Sequence, residues 1–361
     1  MKPTALFCIS SLGLGHATRT LALVNSYIDT HSIHILCTGK ALVYLKTALD
    51  GKEVTFYDIP DYPPLERGKN IAFYWYLITD SLATTRIIRQ EHRFVEKLCG
   101  ELKPQFIISD GRYGAYVKGI PSCIISHQIS FVMPKGFGFF QKIADYFNYK
   151  TFKKFDHVFI PDYKDDAAAL AGTLSHNSML EKLPHTFVGI LSSIQKKNTI
   201  KDIDYLFVLS GYLEEHKEEF IKILIEGAKQ LAGKKVFVLG EPQGREVTTI
   251  PQHSIEIIPS VSGEQRADLF NRAKYVISRS GYTTIMDLVE LETPAYLIPT
   301  PGQTEQEYLA VYLGSKQYFL TSSKAVNFSR LLTAQSNFLY KPLWKTKDSL
   351  ITIHNVLSKL L

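Results

Sequence analysis

The run Ser10-Ser11-Leu12-Gly13-Leu14-Gly15-His16-Ala17-Thr18-Arg19 follows a short apolar stretch and precedes a helical pattern. Gly13 and Gly15 permit a tight turn that leaves a helix N-terminus open. Such an end presents unpaired N–H groups and a partial positive charge, which favour phosphate or another anion. His16 stands where the helix starts. An imidazole titrates near neutrality, so a histidine in this place is either a general base or a capping and packing residue. Phe106-Ile107-Ile108-Ser109-Asp110 ends another strand, and the carboxyl ends of parallel strands line one crevice. Asp110 therefore either orients the imidazole and raises its basicity or caps the next helix. The spacing Gly13-x-Gly15-x-x-Thr18 lacks the third glycine of a dinucleotide fingerprint. The following strand ends Leu36-Cys37-Thr38-Gly39 with no acid for a ribose, which argues against NAD.

A second stretch with chemistry is Val276-Ile277-Ser278-Arg279-Ser280-Gly281-Tyr282-Thr283-Thr284-Ile285-Met286-Asp287-Leu288. A strand ends, small and hydroxyl residues turn the chain, and a helix begins. Gly281, Thr283 and Thr284 offer N–H and hydroxyl donors for phosphate oxygens. Asp287 lies about one turn beyond Thr283 on the same face, where a carboxylate can accept from both hydroxyls of a ribose. The loop Pro299-Thr300-Pro301-Gly302-Gln303-Thr304-Glu305-Gln306-Glu307 follows the next strand and carries paired hydrogen-bonding side chains suited to sugar hydroxyls.

The elements that must position these residues alternate between short β-rich runs and longer helical stretches. This implies parallel sheets covered on both faces. Six runs, at 4–10, 32–37, 53–57, 105–109, 122–126 and 157–160, read as strands of a first α/β domain. Five more, at 205–209, 235–239, 255–258, 275–278 and 295–298, form a second series. The 361 residues suit two such domains. The expected division is an N-terminal domain over 1–190 and a polar, lysine-rich linker over 191–204. A C-terminal domain over 205–342 and a helix over 343–361 complete the chain.

With 41 Lys+Arg against 35 Asp+Glu, the net charge of +6 is too mild to demand nucleic acid, though it suits an acidic membrane or a phosphorylated ligand. Four scattered cysteines without CxxC or Cys/His spacing fit reduced thiols rather than disulfides or zinc. No apolar run reaches the roughly 18 residues of a spanning helix, and the N-terminus does not read as a signal peptide. The expected location is cytoplasmic.

The motif RSGYTTIMDL followed by GQTEQE resembles the donor-binding motif of GT-B glycosyltransferases. It is closest to glycosyltransferase family 28, which includes the peptidoglycan lipid-linked N-acetylglucosaminyltransferase, and more distant from the UDP-glycosyltransferases. GLGHATR is similar to that family's N-terminal glycine-rich loop, so the resemblance spans both halves. It implies a GT-B fold, an α/β architecture of two doubly wound Rossmann-like domains facing a cleft, with the last helix crossing back to the first domain. It also implies an inverting, metal-independent glycosyltransferase of the hexosyltransferase type. The sugar would pass from a nucleotide-sugar, UDP-linked, to an acceptor hydroxyl in cell-envelope or glycolipid synthesis, with no cofactor beyond that co-substrate. On this resemblance His16 is the base and Asp110 its partner. Donor binding falls to Gly13, Gly15, Arg279, Ser280, Gly281, Thr283 and Thr284, and to Asp287 where the family usually has glutamate. Glu305 and Gln306 would contact the donor sugar. Ser210 and Gly211 match the family's other phosphate-facing loop, here less rich in glycine.

On the acceptor side, residues 131–156 hold nine aromatics and five lysines against two aspartates. Phe140, Ile143, Ala144, Phe147 and Thr151 share one helical face. The segment reads either as a core helix with a basic outer face or as a peripheral contact with an anionic membrane, which suits a lipid-linked acceptor at the inner face of the cell membrane. Asp61-Tyr62-Pro63-Pro64 and Phe73-Tyr74-Trp75-Tyr76 read as acceptor-side elements or as core. Asp202-Ile203-Asp204 has the DxD form of metal-dependent transferases but precedes a strand, so it reads as incidental, with no metal site. A nucleotide-sugar hydrolase or epimerase of the same fold, or a non-catalytic nucleotide-sugar-binding protein, are the alternatives.

Overall fold

The structure is a computed structural model that describes residues 2–62, 72–130, 132, 138–209, 217–240, 246–322, 326–333 and 339–361. The chain divides into one unit of Met1–Ser193 with Leu343–Leu361 and a second of Ile194–Pro342.

In chain order the first half contains β1 (Thr4–Ile9), α1 (Gly15–Tyr27), β2 (Ser32–Cys37), α2 (Gly39–Ala48), β3 (Val54–Asp58), α3 (Ala72–Leu102), β4 (Phe106–Asp110), β5 (Ser122–Ile125), α4 (Gly138–Phe152), β6 (His157–Ile160) and β7 (His185–Phe187). The second half runs β8 (Ile203–Val208), α5 (Lys217–Ala228), β9 (Lys235–Val238), β10 (Thr248–Ile250), β11 (Ile255–Ile258), α6 (Gly263–Arg272), β12 (Ala273–Ser278) and α7 (Tyr282–Leu291). It ends with β13 (Ala295–Leu297), α8 (Thr304–Ser315), β14 (Leu320–Thr321), α9 (Phe328–Thr333) and α10 (Thr346–Leu360).

The first sheet has the order β3-β2-β1-β4-β5-β6-β7 and is parallel throughout. The second has the order β10-β11-β9-β8-β12-β13-β14, parallel except for the β10–β11 pair. Each is an α/β doubly wound sheet, and each reverses direction of growth once: between β1 and β4, and between β8 and β12. Such a switch point opens a crevice at the carboxyl ends of the strands. The turn with His16 follows β1 and Asp110 ends β4. The turn with Gly281 follows β12.

Central strands are apolar on both faces because helices cover both. Ala5–Ile9 and Phe106–Asp110 are almost wholly buried. Leu6, Cys8 and Ile107 pack with Val95, Leu98 and Cys99 of α3. On the other face Phe7 and Phe106 meet Tyr27 of α1. In the second unit Phe207 stacks on Phe237 with centroids 4.1 Å apart. Each such ring contributes about 1.5–3 kcal/mol by leaving water.

The last helix packs within the first unit. His354 of α10 lies 4.4 Å, centroid to centroid, from Tyr27, and its Nε2 is 3.0 Å from Ser26 Oγ. Just before α10, Trp344 Nε1 donates to the Val188 carbonyl at 2.9 Å, and the Tyr163 hydroxyl donates to the Trp344 carbonyl at 2.6 Å. Gly189 makes room for this indole, since a Cβ there would lie 2.1 Å from Trp344 Nε1. All four cysteines are free and buried. Burial pushes the thiols of Cys37 and Cys123 up to about 12, so neither is a ready nucleophile. Among the described residues no helix is long and apolar enough to cross a membrane.

Candidate active site

In the first unit, one candidate group is built by β1, α1 and β4. Because Ile9 and Asp110 are register partners, the turn after β1 and the end of β4 are neighbours. Gly13 takes φ +93°, and a Cβ on it would meet nothing within 4 Å, so the turn is open above. Leu14 precedes α1 without a side-chain cap. His16, in the first turn of α1, places Nδ1 2.6 Å from Asp110 Oδ1, and its side chain is 26% exposed.

Asp110 is fully buried and carries more than one partner. Arg19 Nε donates to Oδ2 at 2.7 Å, Arg19 Nη2 donates to Oδ1, and the Thr20 hydroxyl donates to Oδ2 at 2.6 Å. Burial alone would raise this carboxyl, but the charges of Arg19 and His16 and their hydrogen bonds outweigh it and hold it well below the usual carboxylate range. An ionised carboxylate only accepts hydrogen bonds. The bond to Asp110 therefore places the His16 proton on Nδ1 and leaves the Nε2 lone pair for a ligand.

The glycine after Asp110 is part of this site as well. Gly111 has φ +77°, and a Cβ there would lie 2.9 Å from Ser10 Cβ and 3.0 Å from His16 Cε1. Behind the turn, Asp61 accepts from the Ser11 N–H and, at 3.0 Å, from the Ser10 hydroxyl. Buried Arg112 donates to Glu91 at 3.0 Å and to the Pro60 carbonyl at 2.9 Å, and Glu91 accepts from the Tyr62 hydroxyl at 2.5 Å. Asp61 and Tyr62 thus brace the turn from below. Pro63 and Pro64 lie outside the described residues, as do the side chains of Phe73, Tyr74, Trp75 and Tyr76.

A second candidate group lies in the other unit. Gly281 precedes α7, no side chain caps that helix, and a Cβ on Gly281 would meet nothing within 4 Å. Thr283 and Thr284 are half-buried in its first turn. The uncapped N–H groups, the two threonines and the open glycine are donors and space of the kind an anion requires, and are the candidate anion seat. Ser210 and Gly211 lie outside the described residues.

Several of the residues expected at the donor also bond within the protein. Arg279 stacks on the Phe220 ring, 3.7 Å from its centroid, and donates to the Pro299 carbonyl at 3.1 Å. Burial lowers its guanidinium to about 10, which keeps it cationic at neutral pH. The Ser280 hydroxyl is buried and donates to the Gln306 carbonyl at 2.8 Å. Gln306 accepts from the Thr300 N–H at 3.0 Å and donates to Gln303 at 2.6 Å, so its amide shapes the 299–303 loop. Asp287 is fully buried and accepts from Arg266 of α6 at 2.7 Å. The sequence reading has Asp287 as a ribose ligand; in the structure α6 places Arg266 beside its carboxylate. Glu305 is half-buried in the first turn of α8.

The DxD carboxylates sit at the opposite end of β8 from this seat. Asp202 accepts from Arg272 at 2.8 and 2.7 Å, which holds it down to about 2, and Asp204 accepts from Lys274 at 2.8 Å.

Residues 233–336 match the C-terminal domain of glycosyltransferase family 28. That stretch includes the α7 anion seat and the 299–307 loop. The whole chain is similar to solved structures of the same architecture. MurG from Acinetobacter baumannii aligns over 99% of this chain and 100% of its own at 12% identity, with a TM-score of 0.61. UGT2 from Phytolacca americana, complexed with UDP-2-fluoro-glucose and pterostilbene, aligns over 99% and 94% at 15% identity, also with 0.61. The chain has the GT-B fold of these solved structures, and its residues 233–336 match the C-terminal domain of glycosyltransferase family 28. The spinosyn rhamnosyltransferase SpnG, complexed with thymidine diphosphate, shares the fold at 13% identity over 99% of this chain and 96% of its own, with a TM-score of 0.55. No curated protein matches the sequence.

Sequence reasoning missed Arg19, Thr20, Gly111 and Arg266 in this glycosyltransferase. The signal for Arg19 was available: it lies three residues after His16, so both side chains share a face of α1 and converge on one acceptor.

Proposed function

We propose that this glycosyltransferase moves a sugar from a UDP-sugar to an acceptor hydroxyl, inverting the anomeric configuration without a metal ion. The observation that carries the reading is the His16–Asp110 pair, with Nδ1 held by a carboxylate and Nε2 left to a ligand. Nε2 takes the proton of the acceptor hydroxyl as that oxygen attacks the anomeric carbon. The sugar–phosphate bond breaks on the opposite face, which gives inversion in one displacement. Charge develops on the departing diphosphate, and the α7 N-terminus with Thr283 and Thr284 stabilises it, a role a divalent cation fills in other transferases. No further cofactor is needed.

The acceptor is a hydroxyl on a lipid carrier, reached at the inner face of the cell membrane. The support for this part is α4. Its buried face carries Asp145, which accepts from Ser130 at 2.7 Å and Asn177 at 3.0 Å, and Asn148, which donates to the Ile129 carbonyl at 3.0 Å. Its outer face exposes Ile143 (56%), Tyr146 (54%) and Phe147 (50%). The sequence reading grouped Ile143 and Phe147 on one face, either core or membrane contact; they are outside, and polar groups point in. Lys142, Lys150, Lys153 and Lys154 stand exposed around them. Apolar residues ringed by lysines favour an anionic lipid surface.

The test is nucleotide release from a panel of UDP- and GDP-sugars, with and without membrane lipid extract. Release from a UDP-sugar that depends on lipid is the expected result. Lipid-independent release would mark a hydrolase, and saturable binding without turnover a sugar-nucleotide sensor.

A further inference from the structure

The charges around His16 do not stop at the Asp110 carboxylate. Asp110 alone would favour a second proton on the imidazole, because a buried anion beside a histidine stabilises the imidazolium. An imidazolium has no lone pair and cannot take a proton. Arg19 supplies the opposing charge. Its guanidinium is 2% exposed and binds both Asp110 oxygens. Nη2 donates to Oδ1 and lies 3.2 Å from His16 Nδ1, whose own proton goes to the nearer Oδ1 at 2.6 Å, so toward the imidazole Nη2 acts as a neighbouring charge. Nη1 lies 3.1 Å from Nδ1 of His127, in the loop after β5. A guanidinium only donates, so that His127 nitrogen accepts, and its ring holds Arg19 in plane.

We propose that Arg19 is a positioning residue whose fixed positive charge, bound edge-on to Asp110, keeps His16 Nε2 free of a proton and so makes the imidazole a base. The proposal rests on the reading of His16 as the base. Among the described residues, the groups bonded to or beside the imidazole are Asp110 from β4 and Arg19 from α1, with the His127 ring behind Arg19. Counted together, one carboxylate and one guanidinium cancel, and the imidazole stays neutral with its single proton on Nδ1. Without the guanidinium a buried carboxylate is left uncompensated, and the site takes up one proton. If that proton goes to the ring, His16 becomes an imidazolium. If it goes to Asp110, the carboxyl group donates to Nδ1 and the ring's own proton moves to Nε2. Either way Nε2 carries a hydrogen and cannot act.

Histidine ¹⁵N chemical shifts read this directly in the intact protein. Labelled histidine in the parent, with His16→Ala assigning the resonance, is expected to show Nε2 in the range of unprotonated ring nitrogens at neutral pH. In Arg19→Met it moves to the N–H range, and kcat falls about 10²–10⁴-fold while donor KM is unchanged. Arg19→Lys retains the charge without the two-pronged geometry; its Nε2 stays unprotonated and part of the rate returns. An Arg19→Met protein that folds and still shows an unprotonated Nε2 overturns the proposal. If Arg19→Met does not fold, a protonated Nε2 in folded Arg19→Lys overturns it instead. His16→Ala turning over donor at the parental rate would overturn the base assignment itself, separately from the charge relation that the nitrogen shifts report.

Discussion

Gly111 combines a backbone conformation that L side chains rarely adopt with direct contact to the His16 ring. Gly111→Ala would press its methyl against Ser10 Cβ and His16 Cε1. We expect a stability loss of about 1–2 kcal/mol from the backbone alone, and a larger loss of turnover from displacement of the imidazole. Urea unfolding measured beside transfer rate separates the two. Asp110 gives a second prediction, in pH. Its native carboxyl titrates below the unfolded value of about 3.9, despite burial, because Arg19 and His16 favour the anion. Its contribution to stability is therefore complete above that value and is lost as the pH falls through the lowered one. The stability difference between the parent and Asp110→Asn should be constant above about pH 5 and shrink as acid protonates the native carboxylate. A difference that grows on acidification would contradict the ion-pair account.

At the scale of elements, α4 and α7 each carry a prediction. Ile143→Glu with Phe147→Glu alters only exposed side chains, so folding stability should stay within about 0.5 kcal/mol. Co-sedimentation with anionic vesicles should be lost. For α7, Gly281 has φ −73° and ψ 135°, which any residue adopts, and open space around it. Gly281→Val should fold normally and weaken nucleotide binding at least about tenfold, or about 1.4 kcal/mol, because the new side chain stands in the anion seat. Isothermal titration with UDP checks it. These two helices also show what a sequence can reveal. The α7 start was legible, since a strand end, small residues and an apolar period leave few other readings. The outward face of α4 was not: its apolar residues recur at helical spacing whether they face a core or a membrane. Only the bonds of Asp145 and Asn148 decide which side is in. The short edge strands β7, β10 and β14 escaped for want of length, with two or three residues each.

For the molecule as a whole, each doubly wound unit has a glycine turn at its own switch point. Alternation of strand and helix revealed that architecture, and the glycine pattern revealed the turns that carry His16 and Gly281. The convergence of Arg19 and Thr20 on Asp110, about ninety residues away in the chain, depends on register between β1 and β4, and no local pattern encodes it. The same holds for Arg266 on Asp287. The central proposal is that the His16 imidazole takes the proton of the acceptor hydroxyl. Its most direct test is lipid-dependent nucleotide release by His16→Ala beside the parent, at saturating donor. A fall of about 10²–10⁴-fold, with nucleotide affinity retained, is the predicted result. Release at the parental rate would contradict it.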